Sequence, residues 1–263
     1  MSLIVTVWTT EGIVMGSDSR VSFSSQLAPS IPLNIQTGHY FDTQEKTFCC
    51  PNNCGISTCG AASIKAKNIT GYIYQFINEQ VSANTTVYDT ATNLKNYFMK
   101  IDMNAEIHFI VSGYENEGEQ QVLKVYHIVT GQQNSCNLIS PKDSEAGAFW
   151  DGEIDTITRI IKAHYICSDP IETTSLLINM KNIQKKIGAS FVLPKENTFY
   201  LNENNIVWSL MTLQDAIDFV RYAINTTIDT MRFTNVNKTV GGPIDILVIT
   251  PNKTKWISHK TLH

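Results

Sequence analysis

Two short runs at the start of the chain restrict its fold more than any other feature. Leu3–Thr9 and Gly12–Ser17 are apolar on consecutive positions, with only Thr10 and Glu11 between them. A strand that faces water on one side alternates apolar and polar residues, whereas a strand covered on both faces has no need to. Two such strands joined by a two-residue turn predict a hairpin buried inside a layered structure.

The rest of the composition agrees with that. At 263 residues, 43% hydrophobic and 17% charged, the chain is long enough to bury a large core, and a single domain spanning 1–263 is expected. A net charge of −4 with scattered Lys and Arg leaves no electrostatic footprint for nucleic acid. No apolar run reaches the length of a membrane span. The start, Met1-Ser2-Leu3-Ile4, lacks the basic and cleavable pattern of a secretory leader, so a cytoplasmic location is expected.

Four of the six cysteines crowd together as Cys49, Cys50, Cys54 and Cys59. Their spacing lacks the paired pattern of a zinc site, which favours reduced, buried strand cysteines over zinc or a redox pair. His39, His108, His127 and His164 have no pairwise metal spacing either. No metal and no cofactor are expected.

Further along, Thr47–Cys50 and Cys54–Cys59 predict a second hairpin around Pro51-Asn52-Asn53. A helical pattern opens at Gly60 and runs through Ile64, Ile69, Ile73, Phe76 and Ile77. A second helix runs through Val87, Ala91, Leu94 and Phe98 from a cap at Thr85 or Thr86. Strands return at Glu106–Ser112 and Val122–Val129, joined by a polar turn over Glu115–Gly118. Helices fit Glu153–His164 and Leu213–Thr230, and the strand Ile244–Thr250 follows. The order predicts an α+β fold, a four-layer αββα sandwich of two sheets between two helix layers.

The two hairpins then bring particular residues together. With Thr10 and Glu11 as the turn, opposed residues have numbers summing to 21, so Ser2 faces Ser19 with Asp18 and Arg20 on either side. In the second hairpin the same logic pairs Lys46 with Thr58, a strand's width from Gly60. At a strand-to-helix handover, Gly60 would offer a free backbone N–H. A hydroxyl and an amine on residue 2, an Asp, a Lys and a free N–H are the parts of an N-terminal nucleophile hydrolase. In that chemistry the first residue supplies both nucleophile and base, and the N–H receives the oxyanion. Position 2 must then be the true terminus, and a small Ser permits removal of Met1.

The pattern resembles the proteasome β-subunit superfamily. Gly16-Ser17-Asp18-Ser19-Arg20 is similar to its G-x-D-x-R motif, and the Ser2–Asp18 and Lys46–Gly60 spacings match the family's. Phe109–Gly113 and Tyr114–Gly118 resemble its central hairpin. Asp229-Thr230-Met231-Arg232 and Thr239-Val240-Gly241-Gly242-Pro243-Ile244-Asp245 are most similar to the bacterial proteasome-like family Anbu.

The resemblance implies a catalytic set of Ser2, Asp18, Lys46, Gly60 and Arg20. It implies a substrate side-chain pocket of Val21, Ser22, Thr58 and Ala62, a peptide or small amide substrate, and a homo-oligomer, as an open ring or spiral. It identifies no ATPase partner. Family members usually begin with Thr, and the connection from Arg20 to Lys46 is longer than usual. The helper Ser before the third helix is replaced by Gly147–Gly152, and the Asp-x-x-Ser-Gly element by Asn237–Gly241. An inactive self-assembling scaffold and a small-molecule amidase are the alternative readings. Tyr72, Tyr74 and Tyr97 extend beyond one core-facing stripe and are expected at an interface.

Overall fold

The computed structural model describes residues 2–23, 39–140, 146–162, 164–166, 198–200 and 206–261. These fall into two compact units, one of residues up to Ile154 together with Val207 onward, the other Asp155–Ile206. In the first unit the strands are β1 (Leu3–Thr9), β2 (Gly12–Ser17), β3 (Val21–Phe23), β4 (His39–Phe41), β5 (Thr47–Cys49), β6 (Gly55–Gly60), β7 (Ser63–Ile64) and β8 (Lys67–Asn68). Helices α1 (Ile69–Gln80) and α2 (Val87–Ile101) follow, then β9 (Ile107–Glu117), β10 (Gln120–Val129), β11 (Ser135–Leu138) and β12 (Gly147–Gly152). The second unit contains helix α3 (Asp155–Lys162) and the antiparallel pair β13 (His164–Ile166) and β14 (Thr198–Tyr200). The chain re-enters the first unit with α4 (Leu213–Phe233), β15 (Asp245–Thr250) and β16 (Lys253–Ser258).

The first unit has the predicted four layers. One sheet has the order β12-β1-β2-β15-β16 and the other β11-β10-β9-β6-β5. Between them, Ile4, Trp8, Ile13, Met15, Leu247 and Ile249 of the first sheet pack on Cys59, Ile110 and Val125 of the second. The outer face of the second sheet buries Phe48, Ile56, Phe109 and Val111 against Ile73 and Phe76 of α1 and Leu94 and Phe98 of α2. On the first sheet, Gly16 lets α4 approach so closely that a Cβ there would lie 2.3 Å from Val220 Cγ1. Both faces of β1 and β2 are thus covered, and all thirteen of their residues are buried, the condition their unbroken apolar runs imply.

Register follows the expected sums. Ile4 pairs with Ser17 and Thr9 with Gly12, while Thr47 pairs with Ser57 and the Thr58 N–H donates to the Lys46 carbonyl at 2.9 Å. The long connection after Arg20 turns back on itself as the β3–β4 ribbon, with Val21 opposite Phe41, so Lys46 arrives where the spacing to Gly60 requires it.

Three expectations are corrected. Helix α1 begins at Ile69, not after Gly60, because a miniature hairpin intervenes and turns on Lys65 and Ala66, both left-handed (φ 48° and 61°). Asn68 caps the helix by accepting the Thr70 N–H, a contact typically worth about 1 kcal/mol. The β9–β10 ladder runs on to Glu117 opposite Gln120, leaving Gly118 (φ 67°) and Glu119 as a two-residue turn in place of Glu115–Gly118. Polar residues did not end that strand, since its exposed rim needs only backbone pairing. Finally, the helix expected over Glu153–His164 spans only Asp155–Lys162, and His164 begins β13.

Candidate active site

The carboxylate of Asp18 is fully buried and has four donors. Oδ1 accepts the Leu3 N–H at 3.0 Å and the Lys46 ammonium at 2.8 Å. Oδ2 accepts the N–H groups of Arg20 and Gly241, each at 3.0 Å. Three backbone donors plus one cation satisfy most of the carboxylate's lone pairs, which is what lets a charge stay in the interior. The Gly241 contact uses the Val240-Gly241-Gly242 turn ahead of β15, so a motif more than 220 residues away helps hold Asp18 (|i−j| = 223).

Lys46 also donates to the Arg20 carbonyl at 2.6 Å. Burial lowers the Lys46 pKa, against the opposing pull of Asp18. Its ammonium is therefore easier to deprotonate than a surface lysine while remaining fixed in direction.

Ser2 is 7% exposed, and the peptide that joins it to Leu3 is held on both sides. Its carbonyl accepts the Glu153 N–H at 2.8 Å, and the following N–H, of Leu3, is the one that Asp18 binds. Gly152 packs so tightly there (φ 95°) that a Cβ would sit 1.8 Å from the Ser2 carbonyl oxygen. Only glycine fits at that point. Met1 lies outside the described residues.

Gly60 ends β6 with φ 98°. Its partner in the ladder, Ile107, spends its N–H and C=O on Thr130, and the next pair outward bonds from the Ala61 N–H to the Glu106 carbonyl. By the alternation of an antiparallel ladder, the Gly60 N–H then points to the other edge, the one where Thr58 donates to Lys46. The free amide expected of a helix start is supplied instead by a strand end.

Arg20 departs from its expected place. Its guanidinium turns from Asp18 and makes a two-toothed pair with Asp42, Nε–Oδ1 and Nη2–Oδ2 both 2.7 Å, with Cζ 3.8 Å above the Tyr40 ring. Only the backbone of Arg20 touches the Asp18–Lys46 pair. The side chain closes the base of the β3–β4 ribbon, because planar guanidinium and carboxylate match in fork geometry.

Ser2, Lys46, Gly60 and Arg20 line one open cavity of about 110 Å³, together with all four expected pocket residues, Val21, Ser22, Thr58 and Ala62. Gln44, Cys59, Ala61 and Ile69 complete its wall. Asp18 lies behind Lys46. Sequence reading assigned no site role to Gln44, Gly152, Glu153 or Gly241, which come from turns and the end of an edge strand with no periodic signal.

The tyrosines expected at an interface are mostly accounted for within the chain. Tyr72 and Tyr97 pack on Phe98, and Tyr74 meets Phe48 edge-on at 5.3 Å while donating to Glu45. The outermost aromatics on the two helix layers are Tyr88 on α2 and Tyr222 and Phe233 on α4.

Two antiparallel sheets between helix layers, with the start of β1 meeting Asp18 and Lys46 at one end, is the fold of the N-terminal nucleophile hydrolases. No family model and no curated protein matches the chain. Among solved structures, Anbu from Hyphomicrobium sp. strain MC1 shares this fold. Its Gly-1 mutant matches with TM-score 0.53 and 16% identity over 99% of this chain and 88% of its own. A second crystal form gives 0.51 and 15% over 98% and 88%. Anbu from Yersinia bercovieri gives 0.48 and 13% over 98% and 88%.

Proposed function

We propose that the chain is a proteasome-like N-terminal nucleophile hydrolase that cleaves peptide or amide bonds through Ser2 once Met1 is removed. The observation that carries this reading is the buried Asp18–Lys46 pair behind Ser2 in one cavity. The Ser2 hydroxyl attacks the carbonyl carbon and its own α-amine takes the proton. The Lys46 ammonium stabilises the oxygen as its proton leaves, and the Gly60 N–H receives the oxyanion. The amine product departs with the proton, and water hydrolyses the Ser2 ester.

Intact mass decides the premise. A chain lacking one methionine, active on amide reporters, is the expected result. A retained Met1 with no turnover favours the inactive scaffold.

Substrate choice follows from the wall. Val21, Ser22, Thr58 and Ala62 are small and uncharged, and Asp42 neutralises Arg20. A peptide library is expected to show small or medium apolar residues before the scissile bond preferred over acidic ones by at least about tenfold in kcat/KM. A preference for acidic residues contradicts the pocket assignment.

Self-assembly into an open ring or spiral is part of the proposal, supported by the shared fold and by the exposed Tyr88, Tyr222 and Phe233. Light scattering is expected to give a mass several times the 29.5 kDa of one chain. A single species at the chain mass removes the assembly.

A further inference from the structure

Four side chains that the sequence scatters meet beside the candidate active site. Cys59 on β6 stands directly opposite His108 on β9. His108 pairs with Val129 on β10, so His127 is its diagonal neighbour on the same face. Asp151 comes from β12 in the other sheet. Its Oδ2 lies 2.7 Å from His108 Nδ1 and 2.6 Å from His127 Nε2, while Oδ1 accepts the Gly152 N–H at 2.6 Å. Ligand atoms of Cys59, His108 and Asp151 all fall within 4.8 Å of one another.

One carboxylate oxygen shared by two imidazoles, with a thiol beside it, is more than packing requires. A thiol, an imidazole nitrogen and a carboxylate form a borderline donor set of the kind that Zn²⁺ binds. His108 turns its other nitrogen towards Glu106 Oε1 at 3.4 Å, the position of the outer carboxylate that commonly backs a metal-bound imidazole. The donors sit on three strands of two sheets, so their spacing is rigid. The Cys59 thiol is buried. A dication at this point supplies the positive charge that a thiolate there needs.

We infer that Cys59, His108 and Asp151 form a zinc site that ties the two sheets together beside Ser2, with His127 hydrogen-bonded to the Asp151 carboxylate. Three protein ligands on strands of both sheets hold the ion and leave its fourth position to water. The residues following Asp151 are the ones that hold the Ser2 carbonyl: Gly152 packs against it and Glu153 donates to it. The metal therefore steadies the nucleophile's mount from the wall of the same cavity.

Metal analysis of protein prepared without chelator and reconstituted with zinc, then with cobalt, tests this. A single tightly held ion per chain is expected, with a thiolate-to-cobalt absorption band. Cys59→Ser should abolish that band and Cys49→Ser should keep it. His108→Ala should weaken zinc by at least about 100-fold and the exposed Glu106→Gln by about tenfold. If Cys59→Ser fails to fold, chelator titration of the wild type still reads the site, since removing zinc should lower the melting temperature. Wild type that binds no zinc, or a cobalt band unchanged in Cys59→Ser, overturns the assignment.

Discussion

Processed Ser2→Ala protein is expected to hydrolyse amide and ester reporters at least about a thousandfold more slowly than wild type, because nucleophile loss removes the covalent path entirely. The fold should survive, since Ser2 is held by its backbone groups and not by its hydroxyl. In the wild type, kcat/KM should climb with pH as the α-amine, with an ordinary pKa near 8, loses its proton. Reporter assays at matched concentration, with circular dichroism as the folding control, give the answer. Equal rates in the two proteins would remove Ser2 from the chemistry.

The largest stability effect should come from Lys46. Lys46→Met keeps the apolar stem but leaves the fully buried Asp18 carboxylate facing its three amides without a cation. Breaking one side of a buried pair costs roughly 3–5 kcal/mol. At about 2–4 °C per kcal/mol for a chain of this size class, the melting temperature should fall by about 6–20 °C. A melting temperature within about 1 °C of wild type would mean that the amides alone satisfy the carboxylate.

What was legible from the sequence was whatever the chain's own periodicity determines. The first hairpin is named by its apolar runs and two-residue turn, and pairing arithmetic then carries Asp18 to the start of β1. The same arithmetic carried Lys46 to Thr58, whereas Val21, Ser22, Thr58 and Ala62 were expected as a pocket only from the family resemblance. Arg20 was misplaced because its partners, Tyr40 and Asp42, lie across a ribbon whose path sequence spacing does not encode. Helix α1 was begun too early because Ile64 fits a loose helical period, while the left-handed Lys65 and Ala66 carry no residue signature of a turn. The Cys59–His108–His127–Asp151 cluster was invisible for a different reason. Its members are cross-strand, diagonal and cross-sheet neighbours, and none of those relations is a fixed interval along the chain.

The β3–β4 ribbon has a bearing on how such a chain can change over time. Its base is pinned by the Arg20–Asp42 fork, and the Gln44 N–H bonds the Ser19 carbonyl just beyond it. Whatever lies between is closed off by those contacts before the chain reaches Lys46. Lengthening a closed excursion costs little, about 0.6 kcal/mol per doubling. Two anchors at the base of the ribbon therefore fix where Lys46 arrives whatever the length of the connection, so a family built on this centre can vary its recognition elements without moving the lysine.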